Sequence, residues 1–159
     1  MEIDARRVLL CDDLAKGQDM AATVLGIVKL ARQGVFKRAC EKARVSFQCK
    51  SVQSAEEAIE YLTGSGPYRN RKRHPMPSLV VVDLDLDGLK VLSWIRSQAT
   101  FHYLPVVVLS DSKSQSAMKR AYDLGAISYL LKPRSFDGLV RLVKLIDRYW
   151  LTLNQTPAP

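Results

Sequence analysis

The segment that most constrains the fold is an apolar run followed by acids, Leu79-Val80-Val81-Val82-Asp83-Leu84-Asp85-Leu86-Asp87-Gly88. Four consecutive apolar residues, three of them valine, favour a short strand buried on both faces, as in the middle of a parallel sheet. Ligands of open α/β sheets bind at the carboxyl ends of the strands, so Asp83 is a candidate site residue. An acidic loop start without a chemical role is the alternative interpretation of the same run.

The length and composition of the chain are those of one globular domain. Its 159 residues suffice for one domain with a full core but are too few for two domains of ordinary size. No apolar run approaches the roughly 20 residues that span a bilayer, and the N-terminus lacks the pattern of a signal peptide. Cys11, Cys40 and Cys49 show no metal-ligand spacing, which is typical of buried thiols in a reducing compartment. We therefore expect one cytoplasmic domain over residues 1–159, with no membrane contact.

Strand-like and helix-like segments alternate along the chain. Apolar or alternating runs predict four further strands, at residues 6–11, 45–52, 106–109 and 127–131. Apolar residues at helical spacing predict helices between them, over residues 18–33, 35–43, 54–62, 89–97, 113–124 and 135–150. At Gly34 either one long helix bends, or one helix ends and a second follows. The alternation predicts an α/β fold, a three-layer sandwich with a five-stranded parallel sheet and helices on both faces.

Reactive side chains fall at the predicted carboxyl ends of four strands, namely Asp12-Asp13, Asp83, Ser110 and Lys132. Because parallel strands end at one edge of the sheet, we expect these side chains to converge. Crowded carboxylates repel one another unless a cation joins them, and hard oxygen ligands suit Mg²⁺. A carboxylate, a divalent metal, a hydroxyl and an ammonium together are suited to phosphoryl transfer. Each residue taken alone has an ordinary alternative, such as a strand-end cap or a surface lysine.

These residues, in this order, resemble the receiver domain of two-component response regulators. The matching segments are residues 8–13, 79–84, 87–92, 105–110 and 131–133. The resemblance is closest to stand-alone receivers that partner phytochrome-type histidine kinases, which share residues like 64–68, 122–126 and 149–154. It implies a flavodoxin-like sandwich with an extended first-helix region, and a signalling protein in a phosphorelay rather than an enzyme.

The resemblance also implies a role for each matching residue. Asp83 would accept a phosphoryl group from a histidine of a sensor kinase. Lys132 would pair with the new phosphate, and the Ser110 hydroxyl would move towards it. Tyr129 would be the aromatic residue that changes rotamer. Signalling would then proceed through altered protein contacts.

A magnesium site is implied by the same resemblance. Asp12 and Asp13 would hold Mg²⁺ together with Asp83 and the backbone carbonyl of Asp85. The linker between Asp83 and Gly88 is shorter than is usual in the family, and it lacks the usual proline. Asp111 also occupies a position, after the hydroxyl, that is usually small. These departures are the basis of an alternative, a receiver-like scaffold that is not phosphorylated.

A basic segment lies between Asp13 and Glu56, which are further apart than in these relatives. From Lys29 to Lys50 it carries seven Lys or Arg residues against Glu41 alone. We interpret residues 29–45 as a basic helical insertion. A solvated helix face is the favoured explanation, and a docking surface for an acidic partner or for nucleic acid is the alternative. Nucleic acid is the less favoured partner because no recognition motif accompanies the charge, and a nucleic-acid-binding module is retained as an alternative function.

The C-terminal helix carries more apolar bulk than one buried face needs. The residues expected to cover the sheet are Leu142, Leu145, Ile146 and Tyr149. The residues left over are Trp150, Leu151 and Leu153. Exposed aromatic and aliphatic clusters often mark protein–protein contacts. We therefore expect a homodimer through the last helix and the tail at 151–159, unless Trp150 caps the sandwich of its own chain.

Overall fold

Five parallel strands form one sheet in the order β2-β1-β3-β4-β5. The computed structural model describes residues 22–28, 30–85 and 87–157, with the backbone alone over 30–33. The strands are β1 (Thr23–Ile27), β2 (Gln48–Val52), β3 (Leu79–Asp83), β4 (Val106–Ser110) and β5 (Ser128–Leu131). The helices are α1 (Leu30–Ala43), α2 (Ala55–Thr63), α3 (Gly88–Ser97), α4 (Gln115–Asp123) and α5 (Phe136–Ile146). The predicted three-layer α/β sandwich is confirmed.

The apolar run of β3 separates the two layers of the core. Leu79 and Val81 face the layer formed by α1 and α5, whereas Val80 and Val82 face the layer that contains α2 and α3. All four side chains are fully buried. Each contributes roughly 1.5–3 kcal/mol relative to an exposed position. The prediction of a central strand buried on both faces is therefore confirmed, and its position fixes where Asp83 emerges.

The first strand differs from the sequence-based expectation. Residues 23–27 lie in β1, so the helix predicted over 18–33 is wrong there, although the chain is helical from Leu30 onward. Helical spacing and a short run of consecutive apolar residues coincide in this stretch, and periodicity alone cannot separate them. Gly26 lies inside the strand because a Cβ there would approach the Phe36 ring to 3.3 Å. The strand predicted at residues 6–11 lies outside the described residues.

The basic segment forms the ordinary crossover helix between β1 and β2. α1 runs through Gly34 as one helix of 14 residues, which resolves the two alternatives in favour of continuity. Phe36, Ala39 and Cys40 on its inner face are buried against the sheet and α5. Residues 30–43 thus belong to the βα repeat itself. No helix in the described ranges is long and apolar enough to cross a membrane.

The last helix packs differently from the prediction. Trp150 and Leu151, expected to be left over, pack against the core from a π-helical segment, Asp147–Leu153, that continues α5. Leu145 and Tyr149, expected to cover the sheet, are instead exposed. The segment is held in place because the Asp147 carboxylate accepts hydrogen bonds from the Ser46 amide (3.1 Å) and hydroxyl (2.6 Å). The alternative in which Trp150 folds onto its own chain is the one observed.

Candidate functional site

Asp83 is a buried carboxylate at the carboxyl end of the central strand. Its residue surface is only 1% exposed, and β3 lies between β1 and β4. Asp83 Oδ1 lies 2.7 Å from Lys132 Nζ and accepts a hydrogen bond from the Asp85 backbone N–H at 3.0 Å. A buried ionised carboxylate needs such a counter-charge and such donors. The sequence-based placement of Asp83 and Lys132 at one point is therefore confirmed.

Lys132 is shared among three carboxylates. Its Nζ lies 2.7 Å from Asp83, 2.9 Å from Asp85 and 3.2 Å from Asp111. An ammonium has three N–H donors, so each carboxylate can receive one. Burial by itself lowers the pKa of Lys132, but hydrogen bonds and charge from the carboxylates, Asp83 first, outweigh it and raise the pKa above its ordinary value. Lys132 is therefore a firmly protonated cation at the centre of an acidic cluster.

The Lys132 ammonium compensates the charge of Asp111, the acidic residue at a position that is usually small in the family. Its carboxylate contacts the Lys132 ammonium instead of lying against Asp83 without a counter-charge. It is also largely solvent-exposed, whereas Asp83 is buried. Asp111 therefore competes with Asp83 for the Lys132 ammonium, and its own negative charge is compensated there.

Ser110 and Tyr129 meet at a common residue, Ser112. Ser110 is buried at the end of β4, and its Oγ accepts a hydrogen bond from the Ser112 N–H at 3.0 Å. The Tyr129 hydroxyl donates to the Ser112 carbonyl at 3.0 Å, while the Tyr129 N–H donates to the Tyr122 hydroxyl at 3.3 Å. A displacement of the Ser110 hydroxyl would therefore act on Ser112, whose carbonyl accepts the hydrogen bond from Tyr129.

Sequence reasoning missed the role of Ser112. A serine hydroxyl that accepts from the N–H two residues later is a common local turn. The Ser110-Asp111-Ser112 order is compatible with such a turn, so the contact could have been anticipated from the sequence. Its link to Tyr129 could not, because that hydrogen bond joins residues that are 17 positions apart.

The short turn after Asp83 depends on a glycine. α3 begins at Gly88, and Asp87 before it has a left-handed backbone with φ of 54°. A Cβ at position 88 would lie 2.6 Å from the Asp83 carbonyl oxygen, which is a backbone atom and cannot swing away. Gly88 thus permits the abbreviated linker to bring α3 directly against the strand that carries Asp83.

We expect Gly88→Ala to lower the free energy of unfolding by about 1–3 kcal/mol, because an overpacked contact must be relieved by backbone movement. The matched control is Gly34→Ala, since a Cβ at that exposed helical position meets no atom within 4 Å. The control should raise stability by roughly 0.5–1 kcal/mol through helix propensity. Urea denaturation of both variants measures the difference. Equal effects of the two substitutions would contradict the proposed role of Gly88.

A cavity of about 470 Å³ adjoins Asp83 and Lys132. It lies among the end of β1, α1 and the loop that leads into α5. Its apolar wall consists of Val28, Val35, Phe36, Leu109, Phe136 and Leu139. Val28 is the residue directly after β1, so the strand next to Asp83 presents an apolar side chain at its carboxyl end. The site is therefore charged towards β4 and β5, with Asp111, Lys132 and Arg134, and apolar towards α1.

The described residues by themselves do not fit a metal centre. No group of three or more His, Cys, Asp or Glu side chains in this part of the chain is arranged to hold an ion. Asp83 and Asp85 instead converge on the Lys132 ammonium, and β1 is followed by Val28. Asp12 and Asp13, the predicted metal ligands, lie outside the described residues. A complete site would need carboxylates from there.

Comparison with protein families identifies the family to which this fold belongs. The model of the response regulator receiver domain matches residues 30–144, from the start of α1 into α5. The chain belongs to the response regulator receiver family. Receiver domains partner histidine kinases and bind divalent metal ions. The Asp83–Lys132 pair and the Ser110 hydroxyl therefore lie within a receiver fold, at the strand ends where the resemblance predicted them.

Two similar proteins are a probable methanogenesis regulator and a response regulator in red light signalling. This receiver is 33% identical over 153 residues to a probable methanogenesis regulatory protein, FilR2, of Methanothrix harundinacea, covering 92% of this chain and 94% of that one. The response regulator RPA3017 of red light signalling in R. palustris has a TM-score of 0.81 and 26% identity, covering 87% of this chain and 99% of the other.

Two phytochrome-related structures are similar as well, each covering 87% of this receiver and 99% of the other chain. The phosphorylated cyanobacterial phytochrome response regulator RcpA has a TM-score of 0.77 and 30% identity. The Mn²⁺-bound form of Rcp1, which comes from Synechocystis, has a TM-score of 0.72 and 26% identity.

Proposed function

We propose that this receiver accepts a phosphoryl group on Asp83 from a sensor histidine kinase and signals through altered protein contacts. The observation that carries the proposal is the buried Asp83 carboxylate held 2.7 Å from Lys132 at the centre of the sheet edge. Phosphorylation of RcpA, a relative with the same fold, supports it. Because Oδ1 is held by Lys132 and the Asp85 N–H, Oδ2 is the oxygen that attacks.

The transfer exchanges one bond to phosphorus for another. The bond from phosphorus to the kinase histidine breaks as a bond to Asp83 Oδ2 forms, and the imidazole leaves with its electron pair. Lys132 stabilises the charge on the transferred oxygens because it is already protonated and nearly buried. To do so it must loosen its contacts with Asp85 and Asp111, the two exposed members of the cluster.

Ser112 connects the site of the phosphoryl group to Tyr129 through its two hydrogen bonds. When the Ser110 hydroxyl turns to donate to a phosphoryl oxygen, the loop that holds Ser112 adjusts. Tyr129 is hydrogen-bonded to the Ser112 carbonyl, so the ring of this partly buried residue changes its position with the loop. The altered contacts therefore arise between β4, α4 and β5.

Magnesium is the metal that we propose for this site. Asp83 and the backbone carbonyl of Asp85 would hold it together with Asp12 and Asp13. The Mn²⁺-bound form of Rcp1 supports a divalent ion in this fold. When bound, the ion would neutralise charge on the transferred phosphoryl group. The kinase partner that we propose is of the phytochrome type, on the strength of the likeness to RPA3017 and RcpA.

Incubation with acetyl phosphate, followed by intact mass spectrometry, tests the function. We expect one phosphoryl adduct in Mg²⁺ and little or none in EDTA. An Asp12→Asn, Asp13→Asn double variant should show little or no adduct even in Mg²⁺, as the wild type does in EDTA. A wild type without an adduct under any condition would favour the second candidate, a receiver-like scaffold. The observation behind that candidate is that three carboxylates already occupy Lys132.

Although Trp150 packs onto its own chain, other residues of the last helix remain exposed, and we propose a homodimer through them. Leu145, Tyr149 and Leu153 expose more than half of their surfaces and follow one another along the end of the chain. Aromatic and aliphatic groups of this kind commonly anchor interfaces. We expect a Leu145→Ser, Tyr149→Ser variant to shift sedimentation from dimer towards monomer. Tyr103→Ser is the control because Tyr103 is equally exposed elsewhere. A wild type that stays monomeric at high micromolar concentration would contradict the dimer.

A further inference from the structure

Two of the three cysteines meet between the first helix and the edge of the sheet. Cys40 lies on the inner face of α1, and Cys49 lies in β2, where it pairs with Val24 of β1. Both belong to the apolar layer that α1 and α5 form on one face of the sheet, and their thiols hydrogen-bond to each other. Neither is in a disulfide. The fold therefore brings together two nucleophilic groups outside the site around Asp83.

The two thiols differ in their access to solvent. Cys40 is buried, with 4% of its surface exposed, whereas Cys49 is partly exposed. Among the described strands, β2 is at the edge of the sheet and is paired with β1 alone. A small oxidant in solution can therefore reach Cys49, and an edge strand has the freedom to move towards the helix that packs on it.

Two lysines lie beside the more exposed thiol. Lys50 follows Cys49 in β2, and Lys37 lies on α1 one turn before Cys40. The hydrogen bond from Cys40 and the charges of the two lysines lower the pKa of Cys49, although burial and the charge of Glu41 oppose the shift. The same hydrogen bond, and then burial, raise the pKa of Cys40. Cys49 is therefore the thiol that ionises first, and the thiolate is the nucleophilic form of cysteine.

A role as small apolar core residues is the ordinary explanation for buried cysteines. It accounts for Cys40 but not for Cys49, which is partly exposed and has lysines beside it. Redox-active cysteines are accessible, lie in electropositive surroundings and often have a second thiol next to them. Cys49 has these three properties. When disulfides form in a reducing compartment they are usually transient and redox-sensing.

We propose that Cys40 and Cys49 form a reversible disulfide when the protein reacts with hydrogen peroxide. The Cys49 thiolate attacks one peroxide oxygen and the O–O bond breaks. The departing hydroxide takes up the proton that the Cys49 thiol released and becomes water, and Cys49 becomes a sulfenic acid. The Cys40 sulfur then attacks the Cys49 sulfur, and the S–O bond breaks as the second hydroxide leaves with the Cys40 proton. Two thiols are thus oxidised, and one peroxide is reduced to two molecules of water.

The bond joins α1 covalently to the edge of the sheet. α1 also contributes Val35 and Phe36 to the cavity beside Asp83. Oxidation at Cys40 therefore restrains a helix that borders the phosphoryl site. A thiol reductant releases the helix again by thiol–disulfide exchange.

Peroxide treatment followed by mass spectrometry tests the proposal. Reduced protein is incubated with hydrogen peroxide, and the remaining thiols are blocked before the measurement. We expect the wild type to lose the mass of two hydrogen atoms and to regain it in dithiothreitol. After trypsin digestion without reduction, peptide 39–42 should be joined to peptide 45–50.

Three variants assign the chemistry to each cysteine. Cys11→Ser is the matched control and should lose the two hydrogen atoms as the wild type does. Cys40→Ala should instead gain one oxygen atom, trapped as a dimedone adduct, because the sulfenic acid of Cys49 then has no thiol to attack it. Cys49→Ala should show neither change. Circular dichroism before treatment establishes that the variants are folded, and the peptide map of the wild type needs no substitution in the core.

The proposal is overturned by any of three results. The first is a wild type that keeps all its thiols at peroxide concentrations that oxidise free glutathione. The second is a Cys11→Ser variant that forms no disulfide, which would make Cys11 one of the two partners. The third is a bond between two chains, visible as a dimer on a non-reducing gel, with no joined peptides in the monomer.

Discussion

The Asp83→Asn variant is expected to lose phosphoryl acceptance completely while it remains folded. An amide oxygen is too weak a nucleophile to displace a phosphohistidine or acetyl phosphate, so no slower route through the same atom remains. The fold should persist because the asparagine carbonyl can still accept hydrogen bonds from Lys132 and the Asp85 N–H. Exchange of a charged hydrogen bond for a neutral one costs about 1 kcal/mol. Intact mass after incubation with acetyl phosphate measures the outcome.

The matched control for this variant is Asp87→Asn. Asp87 belongs to the same acidic run but is exposed, and it makes no side-chain capping hydrogen bond. Its left-handed backbone tolerates asparagine. The control should accept one phosphoryl group at the wild-type rate. An acid-labile adduct that persists in Asp83→Asn would falsify the assignment of Asp83, and its loss in Asp87→Asn alone would transfer the role to Asp87.

Replacement of Lys132 by methionine should have the largest effect on stability. The buried carboxylate of Asp83 would lose its counter-charge, and Asp85 and Asp111 would be left beside it. Removal of one partner of a buried ion pair costs about 3–5 kcal/mol. The lower end applies here because Asp85 and Asp111 can turn into solvent. Urea denaturation at neutral pH measures the loss, and phosphoryl acceptance should fail in the same variant.

Lys90→Met is the control for Lys132→Met, since Lys90 pairs with Glu56 at 2.9 Å on the exposed surface. An exposed pair contributes little to stability, because water and salt screen the attraction between its charges. The pH dependence gives a second check. Because the folded pKa of Lys132 lies above its ordinary value of 10.5, its contribution is fully present below 10.5 and is lost as pH rises through the folded value. The stability gap between wild type and Lys132→Met should therefore be constant near neutral pH and narrow only in strong alkali. Equal losses in both lysine variants would contradict the central role of Lys132.

The sequence predicted most of this fold because its signals are strong where the strands are buried on both faces. The apolar runs at Leu79–Asp83 and Val106–Ser110 have no competing interpretation as helices, since each is too short and too rich in valine. The capping serine before α2 likewise marks a helix start, and Ser54 accepts a hydrogen bond from the Glu57 N–H as expected. With those strands in place, the convergence of Asp83, Ser110 and Lys132 follows from parallel topology alone.

The first strand could not be predicted, because two segments near the beginning of the sequence both have the apolar pattern of a strand. Residues 8–13 end in two acids, whereas the segment found in the sheet, Thr23–Ile27, is followed by Val28. The choice between them depends on packing, such as the space that Gly26 leaves for the Phe36 ring. The contacts of Lys132 with Asp85 and Asp111 also depend on side-chain positions in three separate loops.

The packing of α1 against α5 has a consequence for how the protein is made. α1 leaves the ribosome about a hundred residues before Val140 and Val143, which are among the residues that cover Phe36 and Ala39. Domains emerge from their N-terminus at roughly 5–20 residues per second. This half of the core therefore stays open to solvent for several seconds while the other half can already close. Until α5 completes the layer, the nascent chain exposes the apolar face of α1, and such transiently exposed apolar surface is prone to aggregation.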